Sequence, residues 1–397
     1  MLTEFMRRFW LPPRRHGEII EDRTVSFLEL FYDLVYVVVV GRAARALAGN
    51  IDWQGVFDFA VVFGLIWVAW LNGTLYYDLH GREDGRTRVF VFLQMLLLVL
   101  LAVYTGDAAG ADGRGFAIVY IAFLGVLSWL WYSVRRRDSE EYMVGTARYL
   151  IGMVISMVAV GISIPLPDET RILVWAGVVL FWVIAGHVLA RIGGTQSGLV
   201  VTDSLAERYG LFVIIVLGEV VVGVVEGLSE AERNVETIAT GLLGLSIGFA
   251  YWWTYFDFVG RRLPDGAPVI RMQWIVAHLP TTMAIAAAGA AMVSLTEHGS
   301  DVKTPSATAW LLAGSVAFGL AALAWKMRTL DDFGRYPQLF RPMIGAMAVT
   351  AAVALLLGWL APAPWLLAAL LVAALTALWV FGISRWLALK DLSETAT

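Results

Sequence analysis

Apolar runs long enough to cross a lipid bilayer occupy most of this chain. Twelve such runs lie between Phe27 and Leu389. The hydrocarbon core of a bilayer is about 30 Å thick and is crossed by roughly 20 apolar residues in a helix. Backbone polar groups in lipid must be hydrogen-bonded within their segment, and these runs are too long and too uniform for barrel strands. The sequence therefore predicts an all-α polytopic membrane protein of about twelve transmembrane helices.

The composition supports this prediction. Charged residues make up 16% of the chain, whereas soluble proteins carry about 25%. The mean hydropathy is +0.71. No segment between the runs is long enough to form a soluble domain. The predicted spans are 27–47, 55–79, 88–106, 115–134, 143–163, 171–192, 208–228, 237–259, 270–294, 307–325, 341–361 and 364–388.

Positive charge is distributed unevenly between the segments that join the spans. With the N-terminus in the cytoplasm, 23 of the 29 Lys and Arg residues fall on inner segments and six on outer ones. Cytoplasmic loops are enriched in Lys and Arg, so both termini are predicted to be cytoplasmic. The first 25 residues are basic and contain no apolar core of a signal peptide. Inner arginines such as Arg135–Arg137 are expected to face anionic membrane lipid, and no nucleic-acid partner is predicted.

Two pairs of similar segments recur at nearly the same spacing. Residues 26–31 resemble 204–209 at an offset of 178, and residues 76–82 resemble 255–261 at an offset of 179. Such offsets indicate two six-helix halves of the same orientation, a parallel repeat. The other helices show no clear match, so chance similarity remains the alternative. The predicted parts are a cytoplasmic N-terminal segment (1–25), a first half (26–192), a second half (193–389) and a cytoplasmic tail (390–397).

Three strings of the sequence resemble a known family. They are Ser26–Val37 in the first span, Glu207–Glu219 in the seventh, and His278-Leu-Pro280 in the ninth. Over nearly its whole length the chain resembles the bacterial low-temperature-requirement A (LtrA) family. The resemblance implies an integral protein of the bacterial inner membrane that is linked to growth in the cold. It implies no particular activity, because the family has no settled biochemical function.

Two carboxylates lie one helical turn apart near the cytoplasmic end of the first span. Glu29 and Asp33 share a helix face, and an acid within the bilayer is expected to face the bundle interior. Two interpretations remain open. The pair forms a proton or cation site, because close carboxylates favour retention of a proton. Alternatively, Glu29 caps the helix and Asp33 bonds a neighbouring helix.

Glu219 is the acid that the sequence places deepest in the membrane. It lies twelve residues beyond Glu207, which is about 18 Å further along a helix. So short a side chain cannot reach water from that depth and must be protonated, paired or in a wet cavity. The repeat places Arg42 at nearly the same depth. We therefore predict an ion pair of Glu219 with Arg42 or Arg45. The alternative is that both arginine side chains reach the outer interface alone and Glu219 bonds another group.

His278 lies two residues before Pro280 in the ninth span. Proline removes a backbone donor and frees a carbonyl one turn earlier. A histidine beside such a kink suits a proton relay or a ligand contact. The alternative is a neutral histidine that bonds the backbone or a neighbouring hydroxyl.

Two i,i+4 pairs stand at inner helix ends. Asp78 with Arg82, and Asp257 with Arg261, have the spacing of local helix pairs. Each pair is either a surface ion pair of small energy or a latch that closes a cytoplasmic gate. The glycine spacings Gly223-x-x-x-Gly227 and Gly244-x-x-x-Gly248 permit close helix packing, although with 38 glycines they also arise by chance.

The motifs of common enzyme and cofactor sites are not present. The chain has no Cys, no phosphate-binding Gly loop and no metal-ligand or nucleophile motif. We expect no metal, no cofactor and no enzyme, although a membrane enzyme acting on lipid is not excluded. The first hypothesis is a proton- or cation-linked transporter or channel that uses Glu29, Asp33, Glu219 and His278. The second is a non-transporting component that interacts with lipid, acts as a scaffold or senses conditions in the cold. The expected partners are membrane lipids and a small solute or ion.

Overall fold

A computed structural model describes residues 9–15, 18, 25–136, 140–192 and 201–395. Regular structure in these residues is helical, apart from one isolated antiparallel bridge between Pro264 and Leu330. The helices are α1 (Phe27–Gly49), α2 (Trp53–His80), α3 (Gly85–Thr105), α4 (Gly113–Arg135), α5 (Glu140–Ser163), α6 (Asp168–Ile192), α7 (Asp203–Glu230), α8 (Val235–Phe258), α9 (Pro268–Val276), α10 (His278–Glu297), α11 (Ser306–Met327), α12 (Asp332–Arg335), α13 (Pro337–Leu360) and α14 (Pro364–Thr395). The predicted all-α membrane architecture is confirmed.

Eleven helical segments in the described residues are long and apolar enough to cross a membrane, with α9 and α10 counted as one. They agree with eleven of the twelve predicted spans. The remaining span, 27–47, forms α1, which has the length of a membrane helix. Its charged side chains, Glu29, Asp33, Arg42 and Arg45, are spread along the helix, so that every stretch of 18 residues in α1 contains at least three of them. The predicted count of twelve is therefore not confirmed by length and composition.

The chain divides into two compact units. The first contains Met1–Ala46 and Phe57–Arg208, and the second contains Leu47–Val56 and Tyr209–Thr397. In the first unit α4 packs against α3 and α5, and α5 packs against α6. In the second unit α11 packs against α10 and α13, and α14 packs against α8 and α13.

The surfaces of several helices are apolar, as expected for contact with lipid. Val99 and Val103 in α3 are 54% and 58% exposed, and Leu180 and Ile184 in α6 are 57% and 59% exposed. Apolar patches of this extent are rare on soluble monomers. By contrast, α2 and the α9–α10 segment are the most buried of the candidate spans. These two segments therefore form the centres of their units, and the site residues described below lie beside them.

Residues 9–15 bind the C-terminal end of α2. Arg14 donates from Nε to the carbonyl of Gly81 (2.6 Å) and from Nη2 to the carbonyl of Asp78. His80 Nδ1 donates in turn to the Arg14 carbonyl (3.0 Å). The last carbonyls of a helix lack intrahelical partners and carry partial negative charge, so a buried arginine stabilises this end.

The α9–α10 segment is interrupted at Ala277, three residues before Pro280. Pro280 has no N–H with which to continue the α-helical ladder. The break at Ala277 places His278 at the first position of α10.

Glycines bring the backbones of α7 and α10 close together. A Cβ added at Gly289 would lie 2.7 Å from the backbone carbonyl of Glu219, and one at Gly227 would lie 2.7 Å from the carbonyl of Val293. A Cβ at Gly223 would overlap the carbonyl of Gly289. The Gly223-x-x-x-Gly227 spacing therefore marks a real close approach between helices.

Candidate functional site

The first unit contains a buried cluster of three charged side chains, which we call the acid cluster: Glu29, Asp33 and Arg208. Arg208 lies in the second turn of α7 and is fully buried, as is Asp33 in α1. Arg208 Nη2 lies 3.0 Å from Asp33 Oδ1, and Nη1 lies 3.4 Å from Glu29 Oε1. Glu29 is 6% exposed. The two candidate acids therefore share one guanidinium, and the cluster carries one net negative charge when both carboxyls are ionised.

Aromatic side chains surround Asp33. The indole Nε1 of Trp70 in α2 donates to Asp33 Oδ1 (2.9 Å). The hydroxyl of the neighbouring Tyr32 lies 3.2 Å from that of Tyr36. A Cβ added at Gly73 would stand 2.7 Å from the Tyr32 hydroxyl, so Gly73 allows α1 and α2 to approach. In the described part of the chain, Asp33 Oδ2 has no hydrogen-bond partner. Asp33 thus offers one carboxylate oxygen in an otherwise closed and apolar site.

Glu29 also closes a capping box at the start of α1. The Ser26 backbone N–H donates to Glu29 Oε2 (2.9 Å), and the Glu29 N–H donates to Ser26 Oγ (3.3 Å). This reciprocal pair satisfies two of the free donors at a helix start. The structure therefore shows the contacts of the second sequence interpretation, a helix cap at Glu29 and a bond from a neighbouring helix to Asp33. A proton or cation site at this pair stays a prediction.

The sequence did not identify Arg208 as a site residue, because it was assigned to an inner aqueous segment. The structure buries Arg208 and exposes its neighbour Glu207. One signal was available in the seventh span. A cationic side chain between Leu205 and Tyr209 lies in the first apolar turns of a helix, where a buried partner on another helix is the rule.

The second unit contains a buried cluster of different chemistry, which we call the lysine–histidine cluster: Lys326, His278, Tyr255 and Trp274. His278 is fully buried, and its Nδ1 lies 2.8 Å from the carbonyl of Trp274. A carbonyl only accepts hydrogen bonds, so Nδ1 carries the hydrogen. Nε2 faces Lys326 Nζ within hydrogen-bond contact and lies 3.4 Å from the Tyr255 hydroxyl.

Lys326 occupies the last turn of α11 and is 1% exposed. Its Nζ donates to the Tyr255 hydroxyl (2.9 Å) and lies 4.6 Å and 4.8 Å from the ring centroids of Tyr255 and Trp274. Aromatic faces attract a cation. Lys326, like Arg208, had been counted as an inner aqueous charge, because its position near a helix end permits it to reach water. The sequence thus predicted His278 but missed its partner.

Glu219 is buried in the middle of α7, at 4% exposure, as its apolar flanks predicted. Arg42 and Arg45 lie in α1, and the Arg42 guanidinium lies against Gly106 after α3. Glu219 belongs to the second unit and the two arginines to the first. Their ion pair stays a prediction.

The residues of the first proposed latch each have another partner. Thr202 Oγ1 lies 3.2 Å from both carboxylate oxygens of Asp78. Arg82 forms an ion pair with Glu18. Burial alone would raise the pKa of Glu18, but the backbone N–H of Arg15 and the charge of Arg82 outweigh it and lower that pKa below 4.5. A latch role for Asp78 and Arg82 stays a prediction.

The second proposed latch lies at the end of α8. Asp257 Oδ2 accepts a hydrogen bond from Trp379 Nε1 in α14 (2.7 Å). Arg261 follows the helix with a left-handed φ of 62°, after Gly260. The neighbouring Arg262 forms an ion pair with Asp332. A latch role for Asp257 and Arg261 likewise stays a prediction.

The fold and these clusters define a class of protein: a polytopic α-helical membrane protein with ionisable side chains buried in its bundles. Among the residues that the structure describes, no group of three or more His, Cys, Asp or Glu could hold a metal ion. The sequence profile described as "Bacterial low temperature requirement A protein (LtrA)" matches residues 24–375. The chain therefore belongs to the LtrA family, which confirms the resemblance seen in its first, seventh and ninth spans.

One curated relative matches along almost its full length. An uncharacterised protein of Rhizobium meliloti (strain 1021) is 26% identical over 408 residues, a match that covers 96% of this chain and 93% of the relative. No solved structure matches this chain. The comparisons therefore show the family and leave the activity to be argued from the buried charges.

Proposed function

We propose that this protein is a proton- or cation-linked transporter or channel of the bacterial inner membrane, with the acid cluster as its working site. The observation that carries this proposal is the fully buried carboxyl group of Asp33, whose Oδ2 has no hydrogen-bond partner in the described residues. A net negative charge buried in an apolar bundle is unfavourable. A bound proton or monovalent cation removes it.

A proton fits this site better than a metal cation. Cations such as Ca²⁺ need six or more oxygen ligands, whereas the cluster has four carboxylate oxygens. Three of these already accept hydrogen bonds from Arg208, Trp70 or Ser26. The fourth, Asp33 Oδ2, has no partner in the described residues. Protonation there leaves every existing bond in place and removes the charge of Asp33.

The acid cluster also supports α1 as a twelfth span. Glu29 and Asp33 both pair with Arg208, so each of these two acids of α1 has a buried cationic partner in the folded bundle. Arg42 and Arg45 lie in the last two turns of α1, from which long side chains reach the interface. Twelve spans place both termini in the cytoplasm, as the distribution of positive charge requires. We retain the two six-helix repeats as part of this proposal.

The test is transport in proteoliposomes with an internal pH indicator. We expect proton flux under an imposed pH gradient or gradients of Na⁺ or K⁺. Asp33→Asn should reduce the flux by roughly tenfold or more, since a carboxamide cannot exchange a proton in this way. Asp33→Glu should retain part of it.

The matched control is Asp301→Asn, which makes the same chemical change at an exposed loop residue. Its flux should equal that of the unmodified protein. Each variant is first shown to be monodisperse by size-exclusion chromatography. Full flux in folded Asp33→Asn, or no flux under any of these gradients, contradicts the proposal.

A specific observation favours a second function, that of a non-transporting membrane component needed in the cold. The capping box of Glu29 and the Trp70 bond to Asp33 are contacts that a structural site also needs. On this alternative Asp33→Asn lowers thermal stability and growth at low temperature, and the proteoliposomes show no flux from the start. Glu219 and His278 remain further candidates on the pathway, with membrane lipid and a small solute or ion as partners.

A further inference from the structure

The lysine–histidine cluster shares no residue with the acid cluster, and Lys326 has no role in the function proposed above. Its two basic nitrogens, Lys326 Nζ and His278 Nε2, are in direct hydrogen-bond contact. His278 Nδ1 holds its hydrogen toward the Trp274 carbonyl. A proton on Nε2 as well would give an imidazolium pointing at an ammonium. Two unit charges at such a distance repel by about 4 kcal/mol or more even at an effective dielectric constant of 20. The pair therefore holds one charge and cannot hold two.

The groups around the pair supply no negative charge in the described residues. Tyr255 faces Lys326 from α8, and Trp274 faces it from α9. Tyr209 of α7 packs its ring on His278, with 4.2 Å between centroids. No carboxylate of the described chain lies within 4 Å of Lys326 Nζ, whereas Arg208 in the first unit has two. A buried ammonium without a counter-ion is disfavoured, so Lys326 is able to release its proton.

We propose that Lys326 and His278 form a second proton-binding site, in which one proton is shared between Nζ and Nε2. When the proton moves, the Nζ–H bond breaks and leaves its electron pair on a neutral amine. The Nε2 lone pair forms the new N–H bond, and the imidazole becomes imidazolium. The hydrogen on Nδ1 stays on that nitrogen and remains hydrogen-bonded to the Trp274 carbonyl throughout. Tyr255 accepts from Nζ and keeps the amine in place in both states.

A small cavity in the same unit lies between α7, α8, α10 and α11. It has a volume of about 20 Å³, enough for one water, and its mostly apolar lining includes Tyr251, Ile285, Ser315 and Gly248. The Tyr251 hydroxyl is buried, lies one turn before Tyr255, and has no hydrogen-bond partner in the described residues. A water in such a cavity would satisfy this hydroxyl.

The chain makes a direct measurement possible, because it has three lysines, Lys303, Lys326 and Lys390. Protein labelled with ¹⁵N in lysine side chains and histidine rings is placed in lipid nanodiscs and followed by NMR as the pH is changed. Lys326→Met and His278→Gln assign the two signals. We expect the Lys326 and His278 signals to change together, at one midpoint that lies about one pH unit or more from that of Lys303.

A shared proton makes two further predictions about the same spectra. In Lys326→Met the midpoint of His278 should move by about one pH unit or more, which corresponds to about 1.4 kcal/mol. In Asp33→Asn, Lys326 and His278 should titrate as they do in the unmodified protein. The NMR titration therefore tests the lysine–histidine pair independently of transport by the acid cluster. If Lys326 titrates together with Lys303 while His278 does not respond, the inference is wrong. If Lys326→Met does not fold, the joint titration of the unmodified protein decides the question alone.

Discussion

At the scale of single residues, the stability of this protein depends on charged side chains that are buried away from water. Removing one member of a buried ion pair costs more than a surface pair contributes, because the remaining charge has lost both its partner and its hydration. Arg208 has two carboxylates that depend on it. Of the side chains in the first unit, we therefore expect replacement of Arg208 to lower the stability most.

We predict that Arg208→Gln destabilises the protein by about 3–5 kcal/mol, the range for a broken buried pair. The measurement is thermal unfolding in detergent, read by loss of the monodisperse peak. Arg114→Gln is the control, since Arg114 is exposed in the first turn of α4 and the same atoms are removed. Equal melting temperatures for the two variants would contradict the prediction.

A double variant distinguishes the contribution of the Arg208 charge to stability from the contribution of its packing. Asp33→Asn in the Arg208→Gln background removes one of the two carboxylates left without a cation. Contacting residues of one network show interaction energies of about 0.5–3 kcal/mol in such cycles. We expect the double variant to melt at a higher temperature than Arg208→Gln alone. Additive losses would mean that Arg208 acts through packing and not through its charge.

Residue by residue, the sequence identified acids and the histidine more readily than it identified bases. Glu219 was selected because a short side chain in an apolar run cannot reach water, Asp33 because it shares a helix face with Glu29, and His278 because it lies beside a proline. All three are buried. Arg208 and Lys326 were assigned to the aqueous side because long side chains near helix ends normally extend into it. Only the direction in which each side chain points distinguishes a loop cation from a buried one, and that direction depends on neighbouring helices.

At the scale of helices, the approach of α7 and α10 depends on residues without side chains. Without a hydrophobic driving force between helices in lipid, association relies on close packing, and small residues permit it. Gly289 lies against the backbone of Glu219, the deepest acid that the sequence predicted. The position of that carboxylate therefore depends on how closely the two backbones approach.

We predict that Gly289→Ala destabilises the protein by about 1–3 kcal/mol, the cost of overpacking a site that cannot relax. Its new Cβ would meet backbone atoms of Glu219 at 2.7 Å, and a backbone yields less easily than a flexible side chain. Gly345→Ala in α13 is the matched control, since no atom lies within 4 Å of a Cβ there. The Gly345→Ala protein should be as stable as the unmodified protein, or more stable by up to about 1 kcal/mol, because alanine has a higher helix propensity than glycine. Melting temperatures of both variants in the same detergent decide the comparison, and a Gly289→Ala protein as stable as its control would refute it.

At the scale of the whole molecule, the number of crossings decides the side on which each terminus lies. An even number places Thr3 and Thr397 on one side of the membrane, and eleven spans would separate them. The positive charge of the inner segments favours the cytoplasm for both. The buried cationic partner that Glu29 and Asp33 share removes the main objection to a twelfth span.

We predict that both termini are cytoplasmic. The chain has no Cys, so single cysteines introduced as Thr3→Cys, Thr397→Cys and Lys303→Cys can be labelled with a membrane-impermeant maleimide in spheroplasts. Lys303→Cys, in the exposed loop before α11, should react in intact spheroplasts. The two terminal variants should react only after permeabilisation. Labelling of one terminus alone in intact spheroplasts would refute twelve spans, and labelling of both would refute the cytoplasmic orientation.

The sequence by itself determined the kind of protein, the position of almost every helix and the family. It did so because these depend on local properties: the length of an apolar run, the side on which arginines gather, and a proline that ends a helical ladder. The tertiary structure decided what each buried charge meets. Asp33 and Arg208 are 175 residues apart, and His278 and Lys326 are 48 apart. Contacts over such separations depend on how whole helices rotate and pack against one another. The pattern of residues along the sequence does not contain that information.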